Sequence, residues 1–175
     1  MGTRSCVIVK VRKSDLGKTI KFDEAKLPEG VKLEEWTYID PVTNKIWHDE
    51  RGEDLTMPVT LNDNYIGIYC HWDGYIHGGV GEALKEKFKT YEDALNLVSG
   101  GFCSSIEENM VKHYADRKGE IWPNINPVQG KTQKSVYKKF WDGEYIYLFD
   151  EERGGWLYKK PWNAKGGFKH YLETK

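Results

Sequence analysis

Between Tyr65 and Gly81 the chain gathers ring, thiol and acid–base side chains at close spacing. Tyr69, Cys70, His71, Trp72, Asp73, Tyr75 and His77 are followed by Gly78, Gly79 and Gly81. An imidazole and a carboxylate this close supply groups for proton transfer. The rings suit stacking on flat ligands. A glycine-rich turn that opens a helix presents backbone N–H groups to an anion such as phosphate. A strand must deliver these groups: Ile66, Ile68, Cys70 and Trp72 alternate with Tyr65, Gly67, Tyr69 and His71 on two faces. Asp73 and Gly74 make a turn, since both residue types tolerate left-handed backbone. Val80, Leu84 and Phe88 then recur at helical spacing, opposite Glu82, Lys85, Glu86 and Lys87. The plainer reading of the stretch is a core strand and an ordinary turn whose rings only pack. On that reading Trp72, on the Ile66 face, belongs to the core.

Several chemistries can be weighed from spacing alone. Cys70 and His71 are strand neighbours and point to opposite faces, and no second Cys/His pair lies nearby, so no metal and no cofactor are expected. Cysteine catalysis needs a base beside the thiol, and nothing singles out Cys70 or Cys103 for it. A nuclease or phosphodiesterase built on His71, Asp73, His113 and Asp116 stands as an alternative, because imidazoles and carboxylates supply acid–base catalysis.

The totals set the frame. A chain of 175 residues is expected to form a single domain, 1–175, with residues 23–63 as an insertion within it. Lys and Arg number 26 against 27 Asp and Glu, which excludes a basic protein built to coat long nucleic acid. Cys6, Cys70 and Cys103 lie far apart and form no CxxC, the pattern of reduced intracellular thiols. No run is apolar for long enough to span a membrane, and Met1 to Cys6 lacks the layout of a signal peptide, so a cytoplasmic location is expected.

Along the chain, Cys6 to Val11 reads as a central strand and Thr19 to Phe22 as a short strand pairing back as a hairpin. The insertion carries a two-stranded ribbon, Trp36 to Asp40 and Lys45 to His48, across a turn at Pro41 to Asn44. Thr90 caps a second helix that Gly100 and Gly101 stop. Phe102 to Ser105 reads as a loop, Met110 to Tyr114 as a strand and Trp122 to Lys134 as a loop. Tyr145 to Phe149 and Trp156 to Tyr158 form a hairpin. The sum is α+β: an antiparallel sheet with a helical pair packed on one side and a β-ribbon insertion.

The order of motifs resembles a widespread family of small tailed-phage accessory proteins. The resemblance is carried by Thr3-Arg4-Ser5, by the block Ile68-Tyr69-Cys70-His71-Trp72-Asp73-Gly74-Tyr75, and by Val80-Gly81 with Leu84. It continues through Tyr114 with Asp116-Arg117-Lys118-Gly119-Glu120, and through Tyr145 to Asp150 followed by Trp156 to Tyr158. The eight-residue block is the specific part. The chain departs from the family pattern in its long insertion after the first strand and in Lys118, which interrupts an Asp-Arg-Gly-Glu run.

The resemblance implies a phage protein that counters host defence, acting in the host cytoplasm. One such class, the viral sponges, binds cyclic-nucleotide or ADP-ribose-type immune signals without cleaving them. The residues suit that task. Tyr69, Trp72 and Tyr75 are the stacking candidates, with His71 on the Tyr69 face, and Asp73 is an acceptor for a base or ribose edge. Arg4, Lys112 and Arg117 are the phosphate partners. Gly78, Gly79 and Gly81 would admit a close backbone approach. The expected partner is a small nucleotide-derived signal, the expected assembly a homo-oligomer, and the expected chemistry none. A third possibility is an inhibitor of a host defence protein that uses the Trp36–Trp47 ribbon and the Lys-rich, aromatic C-terminal tail as its contact surface.

Overall fold

The computed structural model describes residues 3–33, 36–39, 42–43, 46–49, 58–114, 125–140, 144–160 and 169–170. Thirteen strands and three α-helices lie in these segments. The first six strands are β1 (Ser5–Lys10), β2 (Thr19–Ile20), β3 (Lys32–Leu33), β4 (Trp36–Ile39), β5 (Ile46–Asp49) and β6 (Val59–Thr60). The organising strand β7 (Tyr65–Cys70) leads into α1 (Val80–Lys87) and α2 (Tyr91–Ser99). Then come β8 (Cys103–Ile106), β9 (Met110–His113), β10 (Val128–Gly130), α3 (Gln133–Tyr137), β11 (Tyr145–Asp150), β12 (Gly155–Lys159) and β13 (Lys169–His170).

Nine strands form one sheet in the order β13-β12-β11-β1-β7-β8-β9-β3, with β10 added to β7. The β-branched run of β1 sits at its centre, antiparallel to β7 and parallel to β11. The sheet is therefore mixed: β7–β8 and β3–β9 are parallel as well, while β8–β9, β10–β7, β11–β12 and β12–β13 are antiparallel.

Strand alternation divides the core in two. Val7 and Val9 of β1, Ile66, Ile68 and Cys70 of β7, and Tyr147 and Phe149 of β11 face the helical pair. There they meet Val80, Ala83 and Leu84 of α1 and Ala94, Leu97 and Val98 of α2, all essentially without solvent contact. Each fully buried Val, Leu or Ile side chain here contributes about 1.5–3 kcal/mol. The opposite face, with Cys6, Ile8, Ile146 and Leu148, is covered by Val136 of α3 and by Phe140. The helical pair is positioned by the Thr90 cap of α2 and by cross-links to other segments, that of Trp156 among them. Thr90 Oγ1 accepts from Asp93 N at 3.1 Å, and Trp156 Nε1 donates to the carbonyl of Phe88 at 2.7 Å.

The α+β architecture, the helical pair on one side and the ribbon β4–β5, with Trp36 opposite Asp49, follow the sequence reading. Three local expectations need correction. Thr19–Ile20 pairs with Val59–Thr60 rather than with β1, closing the base of the insertion. Phe102 to Ser105 is no loop, since Cys103–Ile106 is an interior strand between β7 and β9. The stretch from Trp122 to Lys134 contains β10 and leads into α3, which a reciprocal Thr132–Ser135 capping box starts.

Candidate functional site

The turn between β7 and α1 is held from below by the core. Backbone pairing runs past the end of β7, with His71 N donating to the Cys103 carbonyl at 3.1 Å and Trp72 N to that of Ser104 at 2.8 Å. Asp73 then takes a left-handed conformation with φ 56°. The next residue is buried between chain segments: Gly74 N donates to the Thr3 carbonyl at 2.7 Å, and the Tyr147 hydroxyl donates to the Gly74 carbonyl at 2.6 Å. A Cβ at Gly74 would stand 2.8 Å from both the Ser5 Cβ and the Thr3 carbonyl oxygen, so the close approach requires glycine.

From this footing the turn presents rings outward. Trp72 is 46% exposed and Tyr75 42%. Trp72 therefore does not join the core with Ile66 and Ile68. β7 ends at Cys70, so the strict alternation no longer governs its direction. The neighbouring ring of His71 meets Trp72 edge-on, with centroids 4.6 Å apart and planes at 87°. His71 Nδ1 lies 3.0 Å from the Tyr69 hydroxyl. Tyr69 in turn packs beside Phe102 and Phe140, at 6.0 and 6.3 Å between centroids. Arg4 directly precedes the Ser5–Cys70 pair that ends the β1–β7 register.

The sequence-predicted residues thus divide. Tyr69, His71 and Trp72 are in ring contact, Asp73 and Tyr75 follow them in the turn, and Arg4 precedes the Ser5–Cys70 pair on the neighbouring strand. Lys112 lies on β9, two strands from β7, within 3.9 Å of Glu107. Arg117 and Asp116 lie outside the described residues.

The glycine turn needs a correction. It was expected to offer free amides, but the chain itself uses them. Val80 N donates to the Asp73 carbonyl at 2.8 Å and Gly81 N to that of Tyr75 at 3.0 Å. The Glu82 carboxylate accepts from Gly78 N at 3.0 Å, standing where an incoming anion would bind. The amides of Gly78, Val80 and Gly81 are thus engaged within the chain.

Two of the side chains considered for acid–base or thiol chemistry, His113 and Cys70, are buried. His113 is fully buried on the helical-pair side, its Nε2 3.0 Å from the Leu97 carbonyl and its ring against Phe22. It stands apart from His71, whose ring lies beside Tyr69, a residue packed against the opposite core cluster. Burial pushes the Cys70 thiol up to about 12, so it is no nucleophile at neutral pH. Among the described residues no group of three or more His, Cys, Asp or Glu is placed to hold a metal ion, and no helix is long and apolar enough to cross a membrane.

Phe102, Phe140, Tyr147 and Glu82 belong to the site but escape a reading by motif. Tyr147 arrives through sheet order, Phe102 and Phe140 from the segments before β8 and after α3, and Glu82 from the first turn of α1. Comparison with family models, with curated proteins and with solved structures gave no match to this chain.

Proposed function

We propose that the protein is a non-enzymatic binding module that sequesters a small nucleotide-derived signal, the role implied by its resemblance to tailed-phage anti-defence proteins. One observation carries the reading: Trp72 and Tyr75 stand exposed on a turn tied to the core through Gly74. Exposed rings on a rigid support lose little side-chain entropy on binding and offer purine-sized stacking surfaces. Arg4, one residue before the Ser5–Cys70 pair on the neighbouring strand, is the candidate cation for a phosphate. The test is thermal melting against cyclic di- and trinucleotides and cyclic ADP-ribose isomers, with the ligand recovered after heat denaturation. A rise of several degrees with intact ligand supports sequestration, because a ligand bound only by the folded state adds stability by mass action. Altered ligand would mean hydrolysis, and no rise with any member would overturn the nucleotide reading.

A second reading has its own observation. Glu82 already occupies the Gly78 amide, so the turn lacks the usual anion anchor. Exposed Trp and Tyr are also the residues that dominate protein interfaces. A host defence protein is then the partner, and purification of the tagged chain from infected cells would retain that protein in a Trp72-dependent manner.

A further inference from the structure

At the other end of β1 and β7 lies a second concavity, a cleft of about 340 Å³. That volume falls in the range of small-molecule sites. Its floor is the carboxyl ends of two neighbouring parallel strands, β1 at Lys10 and β11 at Asp150. Open sheets characteristically take ligands in the crevice outside the carboxyl ends of parallel strands.

The charges lining the cleft do not cancel. Lys10 is held by Glu152 at 3.3 Å, and Arg12 by Glu151, with Nε 2.9 Å from Oε1. Arg12 also meets Glu92 at 3.0 Å and lies over the Tyr91 ring, 4.2 Å from its centroid. Asp150, nine-tenths buried, accepts from Glu152 N at 3.1 Å. Two further lining cations, Lys13 and Lys131, have no carboxylate partner among the described residues. Lys13 follows Arg12 on the α2 side, and Lys131 precedes α3 on the opposite face of the sheet. They flank the cleft together with the neutral hydrogen-bonding side chains of Thr132, Gln133 and Asn64.

We propose that this cleft is a binding site for a compact multivalent anion of the phosphomonoester or pyrophosphate class, gripped by Lys13 and Lys131. Fixed carboxylates already neutralise Lys10 and Arg12, which shape the pocket. With Asp150 counted, the lining carries four cations against three carboxylates; Lys13 and Lys131 supply the ammonium groups that no carboxylate among the described residues holds, and ammonium groups bind phosphate as point charges from flexible stems. The inference is independent of the aromatic turn.

The experiment is calorimetric titration of the full chain with inorganic pyrophosphate at low ionic strength, alongside the variants K13Q/K131Q and W72A. The expected result is saturable binding, weakened at least about tenfold in K13Q/K131Q and by added salt, and unchanged in W72A. Amide chemical-shift mapping on the wild-type chain supplies a readout that needs no variant. Perturbations should gather at Lys13, Asn64, Lys131 and Thr132. Absence of binding to wild type overturns the proposal. So do equal affinity in K13Q/K131Q and perturbations centred on Tyr75 to Gly79.

Discussion

The Tyr147 hydroxyl donates to the carbonyl of Gly74 across 2.6 Å in the buried interior, joining β11 to the ring-bearing turn. Tyr147 is 2% exposed and Gly74 is buried, so water cannot replace the lost partner if the phenol is removed. A buried carbonyl left without a donor costs about 1–3 kcal/mol. Tyr147→Phe should therefore lower the melting temperature by several degrees with an unchanged denaturant slope. It should also speed hydrogen exchange at Gly74. An unaltered melting curve would show that the bond is not a support of the turn.

The glycines of the turn separate by mechanism. An added Cβ at Gly79 would land on the Asp73 carbonyl oxygen, and at Gly81 it would stand 2.8 Å from Ile76 backbone atoms. At Gly78 it would meet nothing within 4 Å, but the backbone there has φ +74°. Backbone atoms cannot step aside as side-chain tips can. Gly79→Ala and Gly81→Ala should each cost more than Gly78→Ala, whose left-handed strain amounts to about 1 kcal/mol. Chemical denaturation of the three variants gives the order directly. Equal losses would mean that the close contacts relax.

The elements that sequence makes legible are those with an uninterrupted period. β7 alternates cleanly and splits Ile66, Ile68 and Cys70 from Tyr65 and Tyr69, as its burial pattern shows. α1 and α2 carry apolar positions at helical spacing and end where capping residues indicate. Elements that depend on their neighbours are not legible. Cys103-Ser104-Ser105-Ile106 has weak strand propensity and a register shift between Cys103 and Ser105, and it is a strand because β7 and β9 flank it. α3 is five residues long, below the length at which periodicity speaks.

The candidate site divides along the same line. The chemistry-bearing stretch is contiguous in sequence and therefore visible. The core placement of Trp72, one of two readings the sequence allows, fails because it extends an alternation two residues beyond the strand that imposes it. The filled amides of the glycine turn are tertiary facts, because Glu82 reaches back one helical turn to Gly78. The cleft is invisible in sequence because Lys10 and Asp150 stand 140 residues apart and meet only through the parallel pairing of β1 with β11.

Removal of the exposed rings should distinguish a functional surface from a structural one. Trp72→Ala and Tyr75→Ala leave no cavity in the core and should change stability by no more than about 0.5 kcal/mol. Loss of a stacking partner weakens a bound base by about 1–3 kcal/mol. In the melting assay, the ligand-induced shift should collapse while the ligand-free midpoint stays in place. A ligand-induced shift that survives both substitutions would move the site away from the turn.

Stability should respond to acid through Asp15. The Tyr91 hydroxyl donates to Asp15 Oδ2 at 2.7 Å, and this bond, assisted by Lys18 at 3.1 Å, holds the carboxyl below its ordinary value of 3.8. A lowered folded-state pKa stabilises the protein above the unfolded value, and that contribution is lost as pH falls through the folded value. Tyr91→Phe removes the leading cause while leaving Glu151, which Arg12 also holds low, untouched. The gap in melting temperature between wild type and Tyr91→Phe should therefore be constant from about pH 7 to 5 and narrow below about pH 4. A gap that stays constant to pH 3 would assign the cost of the substitution to packing and to the Arg12 amide, which donates to the same hydroxyl at 3.1 Å, and not to the Asp15 carboxylate.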